Sequence, residues 1–158
     1  MIPLKINGKN LCEIFEPDKD FASFSNAQII QYSIDNLMFP TEVTLSAETY
    51  SRDAERTLNY ELENITTVNR KSKPVFVWQI IKAEYVANLL SFLKYKYNFK
   101  DASGNIIPVL AETIVITYYD FVGMRDIDAY LGQTLDGTLT EYNGQLYWEN
   151  FRIAFPER

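Results

Sequence analysis

The sequence predicts a mainly β domain with one central α-helix, in which antiparallel strands form a sandwich or barrel. Three observations support this α+β fold class. A β-branched and aromatic segment runs directly into an amphipathic helix near residues 82–96. Several other segments alternate apolar and polar residues with the period of a half-buried strand. Two Asn-Gly dipeptides stand where hairpin turns are expected.

The stretch from Lys73 to Tyr97 organises the predicted fold. Its first part, Val75–Ile80, has the composition and length of a strand, and Trp78 within it is assigned to the core. Four apolar side chains then follow at helical spacing on one face: Val86, Leu89, Leu90 and Leu93. Because almost no linker separates strand from helix, the helix is expected to pack back on a sheet.

The N-terminal part is predicted to begin with a hairpin. Leu4–Ile6 leads into Asn7-Gly8, a pair that accepts the positive φ angles of a tight turn. The returning strand is expected over Asn10–Phe15, and a short strand over Phe21–Phe24. The segment 25–38 fits either a strand or a short helix, and its pattern leaves both open.

The middle of the chain predicts a long hairpin, Val43–Leu62, that projects from the body as an arm. Alternation is clear over 41–49 and again over 58–63, with a charged link, Ser51–Arg56, between them. The alternative is a sheet edge whose charges prevent unwanted pairing.

The C-terminal part contains the strongest strand signal, Thr113–Tyr119. We expect a polar loop over Asp120–Ala129 and the opening of another strand at Tyr130-Leu131. A second Asn-Gly hairpin is predicted over residues 138–148, and apolar residues alternate from Phe151 to Phe155.

Length and charge limit the class of protein. The chain has 158 residues and is expected to form a single domain, 1–158, large enough to bury roughly 70% of its unfolded surface. A net charge of −6 argues against a general nucleic-acid binder. No apolar run approaches the roughly 18 residues that span a bilayer, and no signal peptide is seen. We therefore expect a soluble protein that is made in the cytoplasm.

The chemistry available to the chain is narrow. It contains no histidine and one cysteine, Cys12, which excludes a Cys-His nucleophile and the usual zinc sites. No glycine-rich phosphate loop is present. Close carboxylate pairs, Asp18 with Asp20 and Asp126 with Asp128, are interpreted as solvated turns. The sequence predicts a protein that is not an enzyme and has no cofactor or metal; a hydrolase using Asp126 or Asp128 is the alternative.

Aromatic residues are abundant, with eleven Tyr, ten Phe and two Trp. Tyr and Trp combine apolar area with a polar group and are enriched where proteins meet. This surplus predicts self-association or a partner. A carbohydrate-binding module contacting a host surface is the alternative, and it requires an aromatic platform around Tyr142, Tyr147 and Trp148.

The chain also resembles a family of small tail-associated proteins of siphophages and Gram-positive prophages. Its blocks of likeness, in order, are Leu4–Gly8; Arg52 and Arg56 leading to Trp78; the helix with Glu84 and Leu89-Leu90; Ile116–Asp120; Tyr130–Gly132; and Tyr142–Gly144 with Tyr147–Asn150 and Phe155. The chain departs from the family pattern in extra residues at 18–40 and 120–128, and in Gln133-Thr134 after Tyr130–Gly132.

This resemblance implies a tail-tube-like fold and a structural tail or baseplate component without catalytic residues. It implies a homo-oligomeric ring that contacts other tail or baseplate proteins, located in the virion tail after assembly in the host cytoplasm, with no specific nucleic acid and no membrane. Ring-forming subunits need interfaces that close. We expect these to use Arg52, Arg56 and Tyr60 on the arm, with Tyr147 and Trp148 on the closing hairpin.

Overall fold

The computed structural model describes residues 1–51, 68–94, 102–104, 113–132 and 135–158. Within these residues the chain forms β1 (Leu4–Ile6), β2 (Lys9–Asn10), α1 (Leu11–Phe15), α2 (Asn26–Asp35), β3 (Glu42–Thr44), β4 (Ala47–Ser51), β5 (Val68–Ser72), β6 (Val75–Lys82), α3 (Ala83–Phe92), β7 (Ile114–Asp120), β8 (Gly123–Ala129), β9 (Asp136–Tyr142) and β10 (Gln145–Ala154). The predicted β-rich fold class is confirmed at this level.

The strands form two four-stranded antiparallel sheets and a two-stranded ribbon. The first sheet has the order β2-β1-β7-β8, and Leu4 of β1 lies opposite Tyr118 of β7. The second has the order β3-β6-β10-β9, and Trp78 of β6 lies opposite Phe151 of β10. The ribbon pairs β4 with β5.

The two sheets share one hydrophobic core. Phe76 of the second sheet meets Tyr118 of the first with ring centroids 6.2 Å apart and perpendicular rings. Trp78 is 1% exposed, contacts Phe15 of α1 edge-on, and donates an Nε1–H hydrogen bond of 2.9 Å to the Met38 carbonyl. The prediction that Trp78 belongs to the core is confirmed.

Helix α3 begins at Ala83 directly after β6, as the change of period predicted. Val86, Leu89 and Leu93 are buried, and Leu90 is partly buried against the core. The helix packs on α1 and also contacts β6 and β10. The helix ends at Phe92, and residues 95 and 96 of the predicted span lie outside the described residues. The prediction of a single helix is wrong, because the described residues contain three.

The turn of the first predicted hairpin is confirmed, but the predicted return strand over Asn10–Phe15 is wrong. Asn7 and Gly8 have φ angles of 51° and 75°, and β1 pairs with β2. The return strand ends at Asn10, and Leu11–Phe15 is helical, with four of its five side chains buried. Continuous burial cannot arise on a strand that has one face to water, which explains the switch. Phe21–Phe24 is likewise a turn and not a strand.

The ambiguous segment 25–38 contains α2. Its start is fixed by a capping box, in which the Ser25 hydroxyl accepts from the Gln28 N–H and the Gln28 side chain accepts from the Ser25 N–H. Its end is a Schellman motif: Met38 N–H bonds to Ser33 O, and Leu37 N–H bonds to Ile34 O. Leu37 occupies the left-handed position of this motif, with a φ of 54°.

The predicted arm is only partly described. The expected strand over 41–49 is interrupted: β3 pairs with β6 in the second sheet, while β4 begins at Ala47 and pairs with β5. The expected partner strand at 58–63 lies outside the described residues, as do Arg52, Arg56 and Tyr60.

In the C-terminal part, the predicted strand at residues 113–119 is confirmed as β7, and the second Asn-Gly hairpin is confirmed as β9 and β10. The alternation predicted from Phe151 onward is also present, because β10 runs to Ala154 with Phe151 and Ile153 buried. The polar loop expected over Asp120–Ala129 is wrong, because residues 123–129 form β8. The strand expected to open at Tyr130-Leu131 is not found, because these two described residues do not form a strand. No helix in the described part of the chain is long and apolar enough to cross a membrane.

Candidate assembly interface

The turn between β7 and β8 carries a group of exposed apolar side chains. Phe121 and Val122 form the turn and are 71% and 84% exposed. Tyr119 and Met124 lie opposite each other just before and after it, and both are more than half exposed. We call these four residues the apolar tip. A cluster of exposed apolar side chains is a candidate interaction surface.

A buried carboxylate anchors the apolar tip. Asp120 lies between Tyr119 and Phe121 but points inward and is 5% exposed. Its Oδ2 accepts hydrogen bonds from the Tyr118 hydroxyl at 2.7 Å and from Ser72 Oγ at 3.0 Å. Its Oδ1 accepts from the Phe121 N–H. The turn is therefore held from inside while its apolar side chains face solvent.

Arg125 and Glu157 complete this anchor. Arg125 Nη1 lies 3.3 Å from Asp120 Oδ2, and its Nη2 lies 3.2 Å from Glu157 Oε1. The other Glu157 oxygen accepts a 2.7 Å hydrogen bond from the Ser72 N–H. One ionic network thus connects β7, β8, the end of β5 and the chain after β10. A surface fixed in this way loses little conformational entropy on binding.

The electrostatics of Asp120 agree with this description. Burial alone would raise the pKa of its carboxyl group. Hydrogen bonds from Tyr118, the Phe121 N–H and Ser72, together with the Arg125 charge, outweigh burial and lower the pKa below the ordinary value of 3.8. Asp120 is therefore ionised at neutral pH and acts as a structural anion.

An apolar cleft lies beside the apolar tip and includes Met124 in its wall. It has a volume of about 280 Å³ and runs between the N-terminal strand and α2. Most of its wall is apolar, with contributions from Met1, Pro3, Ile29, Ile30, Phe39 and Met124. Ile30 and, further along α2, Ile34 are also exposed, so apolar surface continues from the tip onto this helix.

The β9–β10 hairpin exposes side chains on both of its faces. Tyr142 and Tyr147 share one face, with ring centroids 6.0 Å apart at 68°. Leu139, Leu146 and Trp148 lie on the other face, because Trp148 is opposite Leu139 and adjacent strand residues point to opposite sides. Among the strands of the described residues, β9 is the outer one of its sheet.

Two of the site residues expected from sequence can be placed on this hairpin. Tyr147 and Trp148 are both half-buried, and Trp148 packs partly against the core. The three rings of the expected sugar platform are divided between two faces, and the two tyrosine rings are inclined to each other. They do not form one flat stacking surface.

Of the two close carboxylate pairs in the sequence, Asp126 with Asp128 lies on the outer face of β8 and not in a turn. Asp126 and Asp128 are exposed and stand opposite Thr117 and Val115. Among the residues that the structure describes, no group of three or more Asp, Glu, Cys or His side chains is arranged to hold a metal ion. The pair forms an acidic strip that continues from the apolar tip along the strand.

Sequence reasoning missed the apolar tip, although a signal was present. Ile127 and Ala129 alternate with Asp126 and Asp128, which is the pattern of a half-buried strand. A strand there requires a turn at Phe121-Val122, and turn residues are exposed. No protein-family model, curated protein or solved structure matches this chain.

Proposed function

We propose that this chain is a structural virion protein, a phage tail or baseplate component that assembles into a ring or adaptor by docking copies of itself. The observation that carries the proposal is the apolar tip, in which four apolar side chains within six residues face water on a rigid, ion-paired base. Their exposure opposes solubility, at about 25 cal/mol per Å² of apolar surface, unless another surface covers them.

The occupant favoured for the tip is a second copy of the chain. Phe121 and Val122 protrude as a knob, and the cleft beside α2 offers an apolar wall of matching chemistry. Met124 belongs to both the tip and the cleft wall, so the two adjoin, but placing the knob of one copy in the cleft of the next uses different residues of the two copies. Interfaces of this kind close into rings when the rotation between copies closes.

Charge supports the same assignment. The net charge of −6 and the acidic strip of Asp126 and Asp128 disfavour binding to DNA. A protein that lines a tail lumen needs this property, because DNA must move through the lumen without binding to its wall. The other tail or baseplate proteins would contact the ring through surfaces that the tip leaves free. The β9–β10 hairpin, which exposes Tyr142 on one face and Leu139 on the other, is the surface we assign to them.

The decisive experiment compares oligomeric state with and without the tip. Native mass spectrometry of the unmodified chain is expected to give one closed copy number. The double substitution Phe121→Ser with Val122→Ser removes the two side chains that association would bury, and we expect roughly a hundredfold weaker association, or about 3 kcal/mol.

The matched control is Leu37→Ser, which removes an apolar side chain of similar exposure at the end of α2 and should leave the copy number unchanged. Mass spectrometry of particles from the host strain that carries the gene tests the location. A chain that stays monomeric at 100 µM (roughly the concentration that reveals micromolar association) and is absent from purified particles would rule the proposal out.

A further inference from the structure

The segment before α2 folds three aromatic rings around one of its own lysines. Phe21 and Phe24 have ring centroids 5.1 Å apart at 74°, and Phe21 and Tyr32 lie 5.5 Å apart at 66°. Phe24 and Tyr32 complete the set at 6.0 Å and 88°. The three rings pack edge to face against one another, and we call Phe21, Phe24 and Tyr32 the aromatic box.

The box already holds a cation. The ammonium nitrogen of Lys19 lies 4.1 Å from the centroid of Tyr32 and 5.9 Å from the centroids of both Phe21 and Phe24. Each ring presents the negative face of its quadrupole to a positive charge. The lysine side chain itself is exposed, so its ammonium group can leave the box by side-chain rotation alone.

A carboxylate strengthens the wall that lies closest to the cation. Glu16 accepts one hydrogen bond from the Tyr32 hydroxyl and another, of 2.9 Å, from the Tyr85 hydroxyl. A phenol that donates to a carboxylate carries more electron density on its ring, which increases its attraction for a cation. Asp18 and Asp20 add negative charge to the same loop.

The box is also built in advance. The Ala22 N–H bonds to Asp20 Oδ1 at 2.9 Å, and the Phe24 N–H bonds to the Phe21 carbonyl at 3.0 Å. The next residue, Ser25, is fixed by the capping box of α2. Because Phe21 is buried, the position of one wall is set by the core.

We propose that the aromatic box binds a trimethylammonium group, and that Lys19 is a built-in competitor for it. The distances to the two phenylalanine rings leave room for a bulkier cation than a primary ammonium. At 5.9 Å the lysine nitrogen is too far from the two phenylalanine rings for close contact. An N-methyl group reaches roughly 1.5 Å further, which brings its carbon close to the contact distance of about 4 Å.

The inference is independent of assembly, because none of the box residues belongs to the apolar tip or to the cleft. The trimethylammonium group is shared by free choline compounds and by choline lipids. Titration with choline tests the group itself. Vesicles of phosphatidylcholine, compared with vesicles of phosphatidylglycerol, separate a membrane source from a soluble one.

The test measures choline binding by NMR chemical-shift titration, with 3,3-dimethylbutanol as the neutral molecule of the same shape. We expect choline to shift the ring signals of Phe24 and Tyr32, and the neutral analogue to leave them in place. Lys19→Ala removes the competitor and should tighten choline binding roughly fivefold, the size of one surface cation–π contact.

Two further variants fix the site. Lys9 lies 5.7 Å from the ring of Phe92 without a surrounding box, so Lys9→Ala should not change choline binding. Phe24→Leu removes a half-buried ring of the box and should weaken choline binding at least fivefold. Tyr32→Phe keeps the ring but loses the hydrogen bond to Glu16, so it should weaken choline binding less. Equal binding of the neutral analogue, or no binding of choline by the Lys19→Ala variant at 50 mM (roughly a tenfold excess over a Kd of 5 mM), would overturn the proposal.

Discussion

The hydroxyl of Tyr118 donates a 2.7 Å hydrogen bond to Oδ2 of Asp120, two residues further along β7, and both side chains are buried. Residues i and i+2 of a strand face the same side, so β7 brings a phenol and a carboxylate together within the core. The bond needs a protonated phenol and an ionised carboxyl group. Stability should therefore decrease at both ends of the pH scale.

At the acid end, Asp120 is the group to test. Its pKa in the folded chain is lowered, so its contribution is present above the unfolded value of 3.8 and is lost as the pH falls through the lower folded value. Asp120→Asn should lower the free energy of unfolding at pH 7 by about 1–3 kcal/mol, because it removes the buried negative charge that accepts from Tyr118 and Ser72 and pairs with Arg125, while Glu157 remains as a partner of Arg125. Between pH 5 and 3 the variant should lose less stability than the unmodified chain. Urea unfolding at each pH measures both effects, and the exposed Asp126→Asn serves as control.

At the alkaline end, Tyr118 is the corresponding group. Burial, and the hydrogen bond to Asp120, raise its pKa to about 12. A raised pKa gives stability that is complete below the unfolded value of about 10 and is lost as the pH rises to 12, a difference of about 2–3 kcal/mol. Tyr118→Phe should cost about 1 kcal/mol at pH 7 and flatten the decline between pH 10 and 12. Burial and the hydrogen bond to Glu16 also raise the pKa of Tyr85. Its contribution to the loss of stability at alkaline pH is therefore the same in the variant and in the unmodified chain. An identical alkaline slope in the two proteins would contradict the prediction.

The C-terminal end of α2 offers a stabilising substitution. Leu37 has a φ of 54° and is 58% exposed, so it has the strain of the left-handed region without the compensation of burial. Leu37→Gly should raise the free energy of unfolding by about 0.5–1 kcal/mol, since glycine accepts this conformation freely. Leu37→Ala keeps the strain and should leave stability within about 0.5 kcal/mol. Thermal unfolding of the three proteins separates the effect of the backbone from that of the side chain.

Substitution of Trp78 measures how much its buried indole contributes to the stability of the core. Trp78→Phe removes volume and leaves the buried Met38 carbonyl without its hydrogen-bond donor. We expect a loss of about 2–4 kcal/mol, from the cavity and the unsatisfied carbonyl together. Trp148→Phe, on the half-buried hairpin, should cost less than about 1.5 kcal/mol. Similar losses from both substitutions, measured by denaturant unfolding, would show that burial is not what separates the two tryptophans.

Features encoded within a few residues could be predicted from the sequence. The turns at Asn7-Gly8 and Asn143-Gly144 follow from positive φ angles that this dipeptide accepts. The start of α3 follows from a change of period between Lys82 and Val86. Ser25 followed three residues later by Gln28 is the sequence signature of a capping box, and it favours a helix over a strand for segment 25–38.

Features that depend on distant partners could not be predicted. Arg125 occupies an inward position of β8 because Asp120 and Glu157 neutralise it, and a charge at that position concealed the alternation of the strand. The pairing of β4 with β5 is likewise a relation between separate segments. The support beneath the Phe121-Val122 turn likewise depends on Ser72, which lies 48 residues before Asp120 in the sequence and donates a hydrogen bond to it.

The order of strands in the second sheet also bears on how the chain is made. β6 pairs with β10 along seven positions, from Val75 opposite Ala154 to Lys82 opposite Tyr147, and about 60 residues separate the two strands in the sequence. A ribosome adds roughly 5–20 residues per second, so β6 waits about 3–12 s for the first residues of its partner. During that interval one edge of β6 lacks its partner strand and Phe76 lacks the rings of Tyr118 and Phe155, and this is the period in which a chaperone has most to protect.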